Sequence, residues 1–283
     1  MSAPALFIGV VSHPNSHYRQ AQGPNGLAAQ IAAQLPECVV QVNTRNLWTE
    51  EGGVVPPGAE RDSRKAEIDF ERRWADYLRV GRTTPWYLRI AARKARLAIQ
   101  RFSESSSAVQ RLLDIEYSHR DLLERGVASG AKSVLILEDD AQCPDIKDLV
   151  EGVAGLLDRR PALINLSHSY SMDTLALTHL FKPAPGARWS GSESRVLLSS
   201  ELLVTNTVCA LMYSHDFARD LAAELSRMPL FPVLPIDWKV NKAITQLAPE
   251  ATGLSCWWVE PAPITQASMH ATSERSSLDI IER

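Results

Sequence analysis

Apolar residues in this chain gather into short unbroken runs separated by amphipathic stretches, the alternation of a sheet whose strands are covered on both faces. Leu6-Phe7-Ile8-Gly9-Val10-Val11 predicts a first buried strand, and Ser12-His13-Pro14-Asn15 the turn that follows it. Leu27 to Leu35 predicts a short helix stopped by Pro36, and Cys38 to Val42 a second strand. Strand, loop, helix and strand in that order open a doubly wound sheet. Residues 61 to 125 predict helix, interrupted near Gly81 to Pro85. Further on, Val134 to Leu137 and Ala162 to Leu166 predict strands, with a helix from Asp145 to Asp158 between them. Thr207 to Tyr213 predicts another strand, and Ser214 an N-cap for the helix His215 to Arg227. Pro229, Pro232 and Pro235 then break the chain before Ile236-Asp237-Trp238, where Asp237 suits the N-cap of a helix over Trp238 to Leu247. The expected fold is a single α/β domain over 1–283, a mixed, mostly parallel sheet flanked by helices, with a basic helical insertion over 55–105.

One run ends unlike the others. Val134-Leu135-Ile136-Leu137 stops at Glu138-Asp139-Asp140, so three carboxylates follow a strand buried on both faces. Ligands of open α/β sheets gather at the carboxyl ends of strands. Unpaired carboxylates away from water are costly, and a hard divalent cation bridging phosphate oxygens satisfies them. A solvated acidic turn is the plainer alternative. Ser12, His13 and Asn15, just after the first strand, fall on the same edge of the sheet, although turn chemistry alone also explains that run. The loop behind them holds Arg19, Gly23 and Gly26 but neither G-x-G-x-x-G nor a Gly-Lys pair, so a dinucleotide fingerprint and a P-loop are both absent.

Composition narrows the class only slightly. With 45% hydrophobic and 22% charged residues the chain is an ordinary globular protein, and a net charge of -3 makes no general case for nucleic acid. Cys38, Cys143, Cys209 and Cys256 lie far apart with no CxxC pair, as expected of reduced, mostly buried thiols. The apolar run near the N-terminus has no preceding basic residues and no cleavage site after it. The expected location is cytoplasmic, with a peripheral position at the inner face of the cell membrane.

Four separated segments are similar to glycosyltransferase family 25, the group that includes bacterial lipopolysaccharide and collagen galactosyltransferases. Tyr117-Ser118-His119-Arg120 resembles its Ser-His element, and Val134 to Asp140, about twenty residues on, its apolar strand ending in Glu-Asp-Asp. Cys209 to Ser214 resembles the strand that ends in serine, and Ile236-Asp237 the Ile-Asp pair near the end of the catalytic domain. Pro263 to Gln266 resembles the closing proline-to-glutamine segment, whereas Ser12 to Arg19 departs from the family's Asn-Leu and arginine. The resemblance implies a GT-A fold and metal-dependent, inverting transfer of a hexose from a nucleotide-diphosphate sugar, a UDP-hexose, to a glycan or lipid-linked acceptor. It implies Mn²⁺ or Mg²⁺ held by Asp140 and Glu138, with His270 a further ligand. Glu138, Asp139, Ser12, His13, Asn15 and Arg19 would face the nucleotide. Asp237 is the expected base, an N-cap role being compatible with it. Trp257 and Trp258 suit either a sugar platform or the core, and His168 and Tyr170 a polar loop or a sugar contact.

Two rival classes stay open: a metal-dependent nucleotidyl or phosphoryl transferase, and a non-catalytic relative that binds a membrane or partner. The second draws on residues 72–101, where nine Arg and Lys stand against the single acid Asp76, interleaved with Trp74, Tyr77, Trp86 and Tyr87. Arg89, Arg93 and Arg96 share one helical stripe, which suits an anionic membrane surface; a hairpin packed on the acidic remainder of the chain, or a polyanion site, explains it equally.

Overall fold

The computed structural model describes residues 4–12, 26–35, 37–99, 107–159, 161–167, 172, 177–205, 207–247 and 255–267. The chain runs through β1 (Leu6–Val11), α1 (Leu27–Gln34), β2 (Cys38–Asn43), α2 (Leu47–Glu50), α3 (Ala59–Tyr77), α4 (Thr84–Ile99) and α5 (Ser107–Ala128). It continues with β3 (Ser133–Glu138), β4 (Ala141–Gln142), α6 (Ile146–Leu156), β5 (Leu163–Asn165), β6 (Lys182–Pro183) and β7 (Val196–Ser200). Last come β8 (Ala210–Ser214), α7 (His215–Arg227), α8 (Ile236–Leu247), β9 (Cys256–Glu260) and β10 (Thr265–Gln266).

The fold is a mixed α/β sheet flanked by helices, its eight strands ordered β2-β1-β3-β8-β5-β9-β7-β6. β2, β1 and β3 are parallel, as are β5 and β9, while β8 and β7 oppose their neighbours. Six of the eight strands therefore point one way. β4 and β10 form a separate antiparallel pair beside the ends of β3 and β5.

The unbroken apolar runs have a simple cause. Phe7 and Val11 of β1 and Val134 and Ile136 of β3 face a core shared with α5, α7 and α8. Leu6, Ile8, Val10, Leu135 and Leu137, the alternate positions, face a second core under α1 and α6. With both faces buried, the interior positions of both strands are apolar, and polar side chains on β3 are confined to its ends, Ser133 and Glu138. Helix α5 lies very close to this sheet. A Cβ on Gly126 would stand 2.8 Å from both Val134 methyls, and one on Gly9 would stand 2.9 Å from Ile136 Cδ1 and 3.1 Å from Leu122 Cβ.

Several boundaries differ from expectation. The helical stretch after residue 58 is three helices, and β7, half polar and paired with β9, carries no clear strand signal. Helix α8 begins at Ile236, so Asp237 lies in its first turn instead of at its N-cap. Asp145 and Ser214 do cap α6 and α7, accepting from the amides of Asp148 and Phe217. The basic segment is helical, but two of the three arginines of its stripe are already paired. Arg89 pairs with Glu71 at 2.6 Å, Arg93 with Glu67 at 2.7 Å and also with Glu71, and Arg82 with Asp76. Arg89 and Arg93 thus turn toward the acids of α3, two of which lie just before the basic run. Among the described residues, no helix is long and apolar enough to cross a membrane.

Candidate functional site

The parallel register sets Val11 beside Glu138, so the turn after β1 and the acidic end of β3 come out on one edge. Ser12 Oγ donates to Asp139 Oδ2 at 3.0 Å. Gln266 Nε2, on β10, donates to Glu138 Oε2 at 3.3 Å, and the Ala267 amide donates to the Asp140 carbonyl at 3.0 Å. The strand end is therefore held from both termini of the chain. Asp140 is 5% exposed, whereas Glu138 and Asp139 are half-buried.

Glu138, Asp140 and Cys209 bring ligand atoms within 4.8 Å of one another. Cys209 reaches this corner because β8 runs antiparallel to β3, and its Sγ lies 3.9 Å from Asp140 Oδ1. Burial first, and then the charges of Glu138 and Asp140, push its thiol well above the ordinary range. A protonated thiol is a weak donor, not a ligand, and hard cations prefer oxygen. The two carboxylates are the metal-competent pair. From behind, α5 delivers His119, 2% exposed, whose Nε2 has no hydrogen-bond partner and stands 3.7 Å from Glu138 Oε1. An orphaned buried nitrogen beside two clustered carboxylates fits a site that is completed by an ion.

Asp237 belongs to the same neighbourhood. Burial is the main reason its carboxyl is pushed up to about 6; the Trp238 amide opposes the shift, and the charges of Glu138 and Glu67 add to it. It opens on a cavity of about 450 Å³ between α3, α4 and α8, whose walls include Trp74, Trp86 and Trp238. A second depression, of about 480 Å³, starts at Ala141 and Gln142, directly after the acidic turn, and runs to Thr265 and Leu27.

The expected site residues thus divide. Ser12, Glu138, Asp139 and Asp140 come together, and Asp237 feels the charge of Glu138. His13, Asn15, Arg19, His168, Tyr170 and His270 lie outside the described residues. Trp257 and Trp258 are 9% and 0% exposed, and Trp258 Nε1 donates to the Val204 carbonyl, so both are core residues and not a sugar platform. His119, Cys209 and Gln266 stand out in the sequence only through segments that resemble the family, and the place of Cys209 beside Asp140 depends on a distant strand pairing that no local pattern reports.

No family model matches the chain, and no curated protein matches it. Among solved structures it is similar to a CMP:2-keto-3-deoxy-manno-octonic acid synthetase complexed with CTP, at 11% identity and a TM-score of 0.34 over 97% of this chain and 99% of the other. So loose a likeness adds nothing to the geometry above.

Proposed function

We propose that the protein is a metal-dependent glycosyltransferase of the GT-A type, moving a hexose from a UDP-hexose to a hydroxyl of a glycan or lipid-linked acceptor with inversion. The observation that carries this reading is the coupling of two chemistries: clustered Glu138 and Asp140, and beside an aromatic cavity the carboxyl of Asp237, pushed up to about 6 mainly by burial and in part by the charge of Glu138. Glu138 and Asp140 are the proposed ligands, oriented by His119 and Gln266. When bound, Mn²⁺ or Mg²⁺ compensates charge on the departing diphosphate as a Lewis acid. Asp139, held by Ser12, is proposed to meet the nucleotide ribose. As the acceptor oxygen bonds to the anomeric carbon and the bond to the diphosphate breaks, Asp237 Oδ takes the acceptor's proton.

His13, Asn15 and Arg19 follow Ser12 in sequence and remain proposed nucleotide contacts. His270 follows Ala267, whose amide is tied to Asp140, by three residues in sequence and remains a proposed further metal ligand.

The test is release of UDP from UDP-hexoses with and without Mn²⁺. Wild-type protein is expected to bind and slowly hydrolyse a UDP-hexose only with the metal. Asp140→Ala is expected to lose metal-dependent donor binding while remaining folded. Release of pyrophosphate from a nucleoside triphosphate, with no UDP release, would assign the site to nucleotidyl transfer instead. Inertness toward both substrates would make the protein a binding relative. A peripheral contact with anionic lipid is a companion proposal, favoured by Tyr87, Leu88 and Ile99, which are 53%, 65% and 83% exposed on α4.

A further inference from the structure

The α3–α4 hairpin supplies half the wall of the cavity onto which Asp237 opens, and that wall has a definite chemistry. Trp74 stacks on Tyr77 with centroids 5.2 Å apart, and Trp238 meets the edge of Phe70 at 5.6 Å. Trp86, half-buried at the outer rim, lies under the Arg82 guanidinium at 5.2 Å. These neighbours hold three indoles in place around about 450 Å³, a volume within the range of small-ligand pockets. Rigid aromatic faces present the apolar surface that the C–H side of a sugar ring covers, while its hydroxyls need fixed polar partners.

Polar groups do line the cavity, and their charge is informative. Glu71, itself buried, is gripped by both Arg89 and Arg93, so the arginine nearest the cavity is already neutralised by a carboxylate. Asn241 spends its side chain on Thr205, accepting from the Thr205 amide at 3.1 Å and donating to its carbonyl at 2.9 Å; it braces the wall. Asp237 adds negative charge. No unmatched cation faces the cavity among its described lining residues, so a phosphate or carboxylate on the occupant would meet repulsion from Asp237 without compensation.

We infer that this cavity is the acceptor pocket, that it takes an uncharged saccharide ring stacked against Trp86 and Trp74, and that the insertion exists to form it. The inference rests on the proposed transfer reaction and gives it an acceptor class. The helices of the basic segment then have a role that their charge does not suggest: they place two indoles and a locked Glu71–Arg89 pair opposite the base.

The experiment titrates the full chain, labelled with 5-fluorotryptophan, with methyl glycosides of neutral hexoses and separately with a hexose 6-phosphate. In parallel, thermal shift follows UDP-hexose with Mn²⁺. Expected is a shift of the Trp74, Trp86 and Trp238 resonances by at least one neutral glycoside, with Trp257 and Trp258 unmoved and the sugar phosphate binding at least 10-fold more weakly. Trp86→Ala should weaken glycoside binding at least 10-fold and Trp86→Phe no more than about threefold, while the donor's thermal shift is retained in both. Donor binding intact with no neutral glycoside perturbing those tryptophans, or with the phosphate preferred, overturns the pocket and leaves the transfer reading standing. Absence of any metal-dependent donor shift overturns the transfer reading, and this inference with it. Should Trp86→Ala fail to fold, the wild-type resonance map and Trp86→Phe decide.

Discussion

Asp237 is asked to be a base and is housed where ionisation is costly. In the folded chain its carboxyl titrates near 6, above the roughly 3.9 of a free aspartate. The native state therefore holds a proton that the unfolded state releases, and the stability this contributes is full below about 4 and lost as pH rises through about 6. At about 1.4 kcal/mol per pKa unit, reduced because the side chain keeps some contact with solvent, the loss is on the order of 1–2 kcal/mol. Asp237→Asn should accordingly raise the melting temperature at pH 8 and leave it almost unchanged near pH 4, which calorimetry at the two pH values checks. The same variant should lower transfer by a factor of about 10²–10⁴ while donor binding persists, the range expected when a general base is removed. For the wild type, kcat/KM should climb with pH through about 6 and level off above it; a profile flat from pH 4.5 to 8 removes Asp237 as the base. The sequence marks this residue only through the pair Ile236-Asp237 and a capping role that the structure replaces, since the helix starts two residues earlier than expected. Its titration depends first on burial and then on the charges of Glu138 and Glu67, both remote in sequence, and no local pattern reports that.

Elements show where pattern reading succeeds and where it stops. β1 and β3 are plain in the sequence because both their faces are buried, which forces an unbroken apolar run. β7 is not, because Val196 is exposed and two serines close the strand, so its identity comes from pairing with β9 and not from composition. Helix α5 is an intermediate case. Its helical period is visible, but its closeness to the sheet depends on Gly126 and Gly9, whose role appears only when β1 and β3 lie beneath them. That closeness matters for the site, since α5 also carries His119 to within 3.7 Å of Glu138. Gly126→Ala would force its new methyl against both Val134 methyls, an overpacking that typically costs about 1–3 kcal/mol. It should also lower metal affinity by displacing His119. Denaturant unfolding and Mn²⁺ titration of the variant test both effects, and a loss of stability with unchanged metal binding would show that His119 does not orient Glu138.

For the whole molecule, the distribution of charge is more telling than its sum. The net value of -3 conceals a basic hairpin, three of whose nine cations, Arg82, Arg89 and Arg93, are paired with Glu67, Glu71 and Asp76. What remains exposed on α4 is a mixed face: Leu88, Ala95 and Ile99 along one stripe, Tyr87 beside it, with Lys94 and Arg96 at its flanks and in no ion pair among the described residues. The opposite side of the same helix lines the proposed acceptor pocket through Trp86 and Arg89. A helix with one side toward the acceptor and the other apolar and basic would let an enzyme rest on an anionic bilayer while a lipid-linked glycan reaches Asp237. Two flanking cations contribute about 1 kcal/mol each near such a surface, so the contact must be weak and salt-sensitive. Co-sedimentation with vesicles containing about a third anionic lipid should be seen at low ionic strength and lost once the Debye length falls to a few ångströms near 1 M salt. Leu88→Glu combined with Lys94→Glu should abolish it without altering the thermal shift produced by UDP-hexose and Mn²⁺. If the double variant sediments as the wild type does, or the wild type fails to sediment at any salt, the outer face of α4 is an ordinary solvated surface and the acceptor must arrive from solution.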